Sequence, residues 1–65
     1  MDEQENMMIS NIVESMRKAG YDPYHQLTAY LLTRDDRYVT RHGNARSQIK
    51  LIERGRLIEF VQQMQ

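Results

Sequence analysis

Arg41 and Arg46 are the residues whose type and spacing most clearly suggest chemistry. They are five residues apart across Gly43 and a predicted helix start, so their guanidinium groups could converge on one carboxylate or phosphate. The free amides of that helix start would add to the same positive site. A structural role fits equally well, with one or both arginines holding the loop through backbone carbonyls or through Asp35 and Asp36. The spacing alone supports both interpretations.

The sequence carries no arrangement that is typical of catalysis or metal binding. Its acidic residues lie mostly near the N-terminus or beside arginines, and no serine or threonine lies in a recognisable nucleophile turn. There is no cysteine, and His25 and His42 are too far apart to form a helical ligand pair. Each lone histidine is typical of a surface or hydrogen-bonding role. We therefore predict a protein without catalytic residues, metal site or cofactor.

The charges balance overall but are segregated along the chain. Nine Lys and Arg residues oppose nine Asp and Glu residues. Residues 1–33 carry a net charge of −3, whereas residues 34–56 carry +4. A basic segment of this kind can contact a phosphate, a nucleic acid or an acidic protein surface. It can also solvate helix surfaces and form weak pairs with nearby acids, and the charge pattern does not separate the two interpretations.

Length and hydropathy predict a single small soluble domain. The longest apolar run, residues 29–32, has four residues, far below the roughly 20 that span a bilayer. The acidic start does not resemble a signal peptide, so we expect a cytoplasmic protein. We assign residues 1–7 to a short flexible tail and 8–65 to one helical domain. A chain this short buries only about 60% of its unfolded surface, which favours stabilisation by forming a homodimer.

Periodicity predicts an all-α fold, a compact bundle of about four short helices. The first helix is expected from Met8 to Ala19, where apolar residues follow the spacing of one buried helix face. Gly20 should end it in a left-handed conformation. Asp22 and Pro23 then form a helix start, because Asp can cap free amides and Pro fits the first helical position. This second helix should end near Thr33.

The second half of the chain is less regular. Residues 34–43 have no sustained period and predict a loop that can hold a short helical turn. Asn44 is the predicted N-cap of a third helix that runs to Arg54 with Ala45, Ile49 and Ile52 turned inward. Gly55 should end or bend it. A last helix should bury a stripe formed by Leu57, Ile58, Val61 and Met64.

A gapless series of motifs covers 42 of the 65 residues, from Gly20 to Val61. In order, it consists of Gly20-Tyr21-Asp22-Pro23, Gln26-Leu27, Tyr30-Leu31-Leu32, Tyr38-Val39, Arg41-His42, Ala45-Arg46, Ile49 and Glu53-Arg54. This series resembles the IreB/ReoM family of small regulatory proteins of Gram-positive bacteria. The ordered combination is more specific than any single motif within it.

The resemblance implies a dimeric all-helical protein without catalytic activity that controls cell-wall (peptidoglycan) synthesis. Its implied partners are a peptidoglycan-synthesis enzyme or a Clp-type protease component, and a Ser/Thr kinase that phosphorylates the N-terminal tail. The importance of the arginines in the Arg-His-x-x-Ala-Arg motif carries over to Arg41 and Arg46, with His42 between them. We therefore predict a partner-binding surface that comprises Tyr38, Arg41, His42 and Arg46.

The chain departs from the family pattern at the tail and in the basic loop. No threonine precedes Thr28, and Ser10 is the only hydroxyl residue among the first fourteen. Ser10, expected at the start of the first helix, is the candidate phosphorylation site, and a plain helix-terminus hydroxyl is the competing interpretation. Thr40 replaces the proline before Arg-His, and a Gly-Asp-Pro motif is replaced within residues 34–37.

A small DNA-binding protein is the principal alternative. Short helices around a turn with a basic stretch can mimic a helix-turn-helix. The zero net charge and the acidic first half of the chain disfavour it, because they would repel phosphates. A purely structural subunit of a larger complex is a third alternative, and it predicts poor solubility when the chain is expressed alone.

Overall fold

A computed structural model describes residues 3–64 and confirms the all-α prediction. The four helices are α1 (Glu3–Lys18), α2 (Pro23–Thr33), α3 (Ala45–Ile49) and α4 (Arg54–Gln63). Two single 3₁₀ turns, Asp36–Tyr38 and His42–Asn44, lie between α2 and α3. Within residues 3–64 there is no strand, and no helix is both long and apolar enough to cross a membrane.

One hydrophobic core joins the helices, with α1 packed against α3 and α2 against α4. Its buried side chains are Ile9, Ile12, Val13, Met16, Leu27, Leu31, Val39, Ala45, Ile49, Ile52, Leu57 and Val61. The stripes predicted for the first and last helices point into this core, although Ile58 and Met64 are only partly buried. Helix α1 therefore forms a wall of the core against which the later elements pack.

Helix α1 is longer than the sequence predicted. It begins at Glu3 rather than Met8, so the predicted tail boundary at residue 7 falls inside the helix. Acidic side chains in its first turn suit the positive end of a helix. Residues 1 and 2 lie outside the described chain, and an independently mobile tail stays a prediction. Gly20 closes the helix in the left-handed conformation as predicted, at φ +86°.

Helix α2 begins and ends as the sequence predicted. The Asp22 side chain accepts a hydrogen bond of 3.0 Å from the Tyr24 backbone N–H, and Pro23 occupies the first helical position. The helix ends at Thr33. Arg34 follows with φ +59°, and its N–H donates to the Tyr30 carbonyl at 2.6 Å, so a non-glycine residue adopts a left-handed cap.

The third helix begins where the sequence predicted but ends early. Asn44 occupies the N-cap position of α3, although its backbone is left-handed at φ +63° and its side chain makes no capping hydrogen bond. Helix α3 ends at Ile49 instead of Arg54, and a turn carries the chain on to Glu53. Ile52 is nevertheless buried, so a non-helical turn reproduces the spacing that had predicted a longer helix. Gly55 lies in the first turn of α4.

Candidate functional site

The connecting loop, residues 34–44, is held to the helical body at its centre. Val39 is buried in the core, and the Thr40 N–H donates a 3.3 Å hydrogen bond to the Gln26 side-chain carbonyl of α2. On the α2 side, Thr33 Oγ1 donates to the Ala29 carbonyl at 2.7 Å and accepts from the Asp35 N–H at 3.2 Å. The loop is therefore a defined element that presents its remaining side chains in fixed directions.

Two aspartates neutralise part of the basic charge in this loop. Asp35 accepts a hydrogen bond from the Arg37 backbone N–H. Its carboxylate also forms a bidentate ion pair with the Arg37 guanidinium, with a shortest N–O distance of 2.7 Å. These hydrogen bonds from Arg37 lower the pKa of Asp35 from 3.8 to about 2. Asp36 pairs with Lys50 at 2.6 Å, and this hydrogen bond lowers the pKa of Asp36 below its ordinary value.

Arg46 is directed at the loop's own backbone. From α3, its Nε donates to the Val39 carbonyl at 2.9 Å and its Nη2 reaches the Arg37 carbonyl at 3.5 Å. The residue is partly buried. Arg46 thus has the loop-holding role that the sequence left open, because these two carbonyls take up donors that would otherwise face a ligand.

The opposite side of the loop contacts α1 closely. Gly43 is left-handed at φ +60°, and a Cβ there would lie 2.3 Å from Ser15 Oγ and 3.2 Å from Ser15 Cβ. The Asn11 side chain donates to the Gly43 carbonyl at 2.9 Å and to Gln48 Oε1 at 2.5 Å. The turn closes with the Ala45 N–H donating to the His42 carbonyl. Only glycine suits position 43, for both conformation and space.

The other predicted site residues remain exposed. Arg41 and His42 are exposed, and the Tyr38 side chain is half exposed, at 49%. Within residues 3–64 the Arg41 guanidinium makes no hydrogen bond or ion pair. The backbone N–H of His42 donates to Thr40 Oγ1 at 3.2 Å. The structure therefore separates the two arginines of the motif: Arg46 holds the loop and Arg41 is unpaired.

Tyr38, Arg41 and Arg46 meet in a groove of about 510 Å³ between the loop and α2, which we call the α2 groove. His42 does not line it. The full lining is Tyr21, Asp22, His25, Gln26, Ala29, Arg37, Tyr38, Val39, Thr40, Arg41 and Arg46. Three arginines face one carboxylate, which already caps α2. The groove therefore combines positive charge with two half-exposed tyrosines, a composition suited to an anionic and partly apolar segment.

Sequence analysis missed Tyr21, His25 and Arg37 as members of this groove. Asp22, His25, Gln26 and Ala29 have the spacing of one helix face, and this polar face of α2 was a usable signal. Nothing local in the sequence indicates that the face lies opposite Tyr38, because that contact depends on how the loop folds back.

Ser10 lies in the interior of α1 and not at its start, since the helix begins at Glu3. It is exposed and shares a shallow groove of about 360 Å³ with Asn6, Arg56 and three other residues of α1 and α4. Arg56 is already paired there, with Asn6 and with Glu5 at 3.9 Å. The interpretation of Ser10 as a helix-terminus hydroxyl is therefore wrong, and its phosphorylation stays a prediction.

The described residues offer no metal-binding cluster: residues 3–64 contain no group of three or more His, Asp or Glu placed to hold an ion. The family model described as IreB regulatory phosphoprotein matches residues 1–64. The chain belongs to this family, which confirms the resemblance seen in its motifs.

Proposed function

We propose that this protein is a non-enzymatic regulator that acts by protein–protein contact in the control of cell-wall (peptidoglycan) synthesis. It works in the cytoplasm as a homodimer and serves as an adaptor that brings a peptidoglycan-synthesis enzyme to a Clp-type protease. Membership of a regulatory phosphoprotein family supports the regulatory part. The α2 groove supports contact with a partner, because it joins unpaired positive charge to aromatic surface.

The unpaired Arg41 is the observation that carries this proposal. Its neighbours Arg37 and Arg46 are engaged with Asp35 and with backbone carbonyls, so Arg41 is the groove arginine with its whole guanidinium fork available. A free guanidinium can bind a carboxylate of the partner through two parallel hydrogen bonds, in a bidentate geometry. Tyr38 beside it supplies rigid contact area at little conformational cost.

The four predicted site residues therefore take different roles in the proposal. Arg41 and Tyr38 contact the partner, and Arg46 positions the loop that carries them. His42 does not line the groove, so we assign it no contact there.

Partner capture from native cytoplasm tests the proposal, with Arg41→Glu compared with Arg17→Glu. Arg17 is an exposed arginine of α1 outside the groove, so the two variants change charge equally. We expect Arg41→Glu to lose a peptidoglycan-synthesis enzyme or a Clp component that wild type and Arg17→Glu retain. Circular dichroism should show equal helicity in all three. Equal capture by Arg41→Glu would contradict the proposal.

Binding to random duplex DNA separates this function from a DNA-binding one. Asp35 and Asp36 already pair with Arg37 and Lys50, which lowers the positive charge available to phosphates. We expect no binding at low salt. Strong binding that falls steeply as salt is added would contradict the proposal.

We also propose Ser10 as the residue that a Ser/Thr kinase phosphorylates. Incubation with a Ser/Thr kinase from the same cytoplasm, followed by mass spectrometry, should place phosphate on Ser10 and none on a Ser10→Ala variant. Phosphate elsewhere in residues 1–14 is excluded by composition, because this segment has no other serine or threonine. An unmodified chain would remove the kinase from the proposed partners.

A further inference from the structure

The wall of the α2 groove that α2 forms is polar. Asp22 and Gln26 line it beside the exposed His25. One oxygen of Asp22, Oδ1, accepts from the Tyr24 backbone N–H, and Gln26 Oε1 accepts from the Thr40 N–H. Within residues 3–64 the other Asp22 oxygen and the Gln26 side-chain NH2 make no hydrogen bond. This wall therefore offers a ligand both an acceptor and a donor.

The wall that the loop and α3 form is positive. Arg37, Arg41 and Arg46 all line it, and Asp35 neutralises Arg37 at 2.7 Å. Among the described residues neither Arg41 nor Arg46 has an ion-pair partner. The Arg41 guanidinium keeps all its donors, and their geometry matches two oxygens of one phosphate. A phosphate monoester carries about two negative charges near neutral pH, which would balance these two arginines.

Each wall also carries one aromatic ring. Tyr21 directly precedes the α2 cap and is 51% exposed, and Tyr38 belongs to the loop and is 49% exposed. A half-exposed ring is available for stacking on a flat base. The groove volume of about 510 Å³ lies within the roughly 300–1,000 Å³ that is typical of small-molecule sites.

We infer that the α2 groove binds a nucleoside monophosphate. Its phosphate lies on Arg41, its base stacks on Tyr21 and Tyr38, and its sugar hydroxyls or base edge hydrogen-bond Asp22 and Gln26. A free phosphate would leave both rings and the polar wall unused, and a nucleoside would leave the Arg41 donors unused. A nucleotide is the ligand class that joins an anion, a flat ring and several hydrogen-bonding groups in one small molecule.

The inference rests on the proposed function for its consequence, which is a control of partner capture. A nucleotide on Arg41 occupies the same guanidinium that contacts the partner. Bound nucleotide and bound partner therefore exclude each other, and the nucleotide concentration sets how much of the protein can act as an adaptor.

Isothermal titration calorimetry of the purified protein with AMP, GMP, CMP and UMP tests the site. The matched half-ligands are the four nucleosides, which lack the phosphate, and ribose 5-phosphate, which lacks the base. We expect at least one monophosphate to bind at least tenfold more tightly than its own nucleoside and than ribose 5-phosphate. Equal binding of ribose 5-phosphate would show a simple anion site and overturn the inference. Absence of binding by all four monophosphates at millimolar concentration would overturn it too.

Two pairs of variants assign the binding to the groove. Arg41→Gln should weaken nucleotide binding by roughly tenfold, whereas Arg17→Gln, an equal charge change on exposed surface outside the groove, should not. Tyr38→Leu should weaken it several-fold, whereas Tyr38→Phe, which keeps the ring, should bind as wild type. Circular dichroism checks that each variant is folded. Equal binding within either pair of folded variants would overturn the inference.

Single-stranded RNA offers the same chemistry as a free nucleotide and needs its own test. A hexanucleotide of the best-binding base should bind no more tightly per groove than the monophosphate, because Arg41 provides for one phosphate. Binding that is tenfold tighter would assign the groove to RNA and overturn the inference.

Partner capture from desalted cytoplasm, with and without saturating nucleotide, tests the control. Capture should fall severalfold when nucleotide is added, and unchanged capture would overturn the mutual exclusion. Calorimetry needs no partner, so failure of the nucleotide site and failure of the adaptor proposal are distinguishable.

Discussion

The connecting loop has two sides, and they differ in how completely their polar groups and space are used. The side towards α1 leaves no room for a Cβ at Gly43, and Asn11 donates to the loop backbone. The side towards α2 borders a groove of about 510 Å³ that exposes Tyr38 and Arg41. The closed side defines where the loop lies, and the open side presents groups whose hydrogen-bonding capacity is unused.

This difference explains why two arginines of one motif have different roles. Arg46 lies on α3 and donates to the backbone carbonyls of Val39 and Arg37 in the loop. Its hydrogen bonds therefore help to fix the conformation of the loop. Arg41 lies on the loop itself, and within residues 3–64 its guanidinium makes no hydrogen bond or ion pair. Type and spacing alone could not distinguish them, and four sets of variants break or sharpen the contrast.

Substitution of glycines should give the largest effect and test the closed side. Gly43→Ala should lower the free energy of unfolding by about 2–4 kcal/mol, from left-handed strain plus the overlap with Ser15. Gly20→Ala is the matched control, because Gly20 is also left-handed but a Cβ there meets nothing within 4 Å. It should cost only about 1 kcal/mol. Urea denaturation measures both, and equal losses would contradict the close contact.

Truncating the two arginines should separate holding the loop from binding. Arg46→Ala should lower the free energy of unfolding by roughly 1–2 kcal/mol, because the Val39 carbonyl loses its charged donor. Arg41→Ala should change it by less than about 0.5 kcal/mol. Chemical denaturation under identical conditions makes the comparison. A larger loss for Arg41→Ala would reverse the two roles.

Arg34→Gly tests the strained beginning of the loop. Relief of the left-handed conformation at φ +59° should stabilise the fold by roughly 1 kcal/mol or less. Arg34→Ala keeps the strain and serves as the control, so it should show no such gain. Thermal unfolding of the monomer measures both. Destabilisation by glycine would show that the Arg34 side chain also supports the fold.

The pH dependence of stability should give the smallest effect. The pKa of Asp35 is about 2 when folded, against an ordinary 3.8, because Arg37 hydrogen-bonds its charged form. Because the pKa of this carboxyl is lower in the folded than in the unfolded protein, its charged form stabilises the fold above about pH 4. That stabilisation is lost as the pH falls from about 4 to 2. Asp36 acts in the same direction. Asp35→Asn should flatten the stability profile in this window, and an unchanged slope would contradict the pairing.

Local signals explain which parts of the fold could be predicted from the sequence. Asp22 and Pro23 form a helix start and Gly20 a helix end through contacts within a few residues. The apolar stripe of α1 likewise needs only its own period. Neither feature depends on the rest of the molecule, so both were predicted correctly.

The third helix and the groove could not be predicted in the same way. Asn44 is a common N-cap residue, but it also tolerates the left-handed conformation, which it adopts here at φ +63° beside the close approach of Gly43 to Ser15. The two residues are 28 positions apart in the chain. The groove depends on the same fold-back, so its arginines were found from the motif while Tyr21 and His25 were missed.

The close approach of Gly43 to α1 has a consequence for how proteins of this kind can change. Because contacts with Ser15 and Asn11 of α1 fix the position of the loop, the side chains on its side towards α2 contribute little to the free energy of folding. Exposed positions such as Tyr38 and Arg41 can then be exchanged, one by one, with the scaffold intact. Related chains could in this way acquire new binding partners through surface substitutions alone, while α1 and its contacts with the loop stay the same.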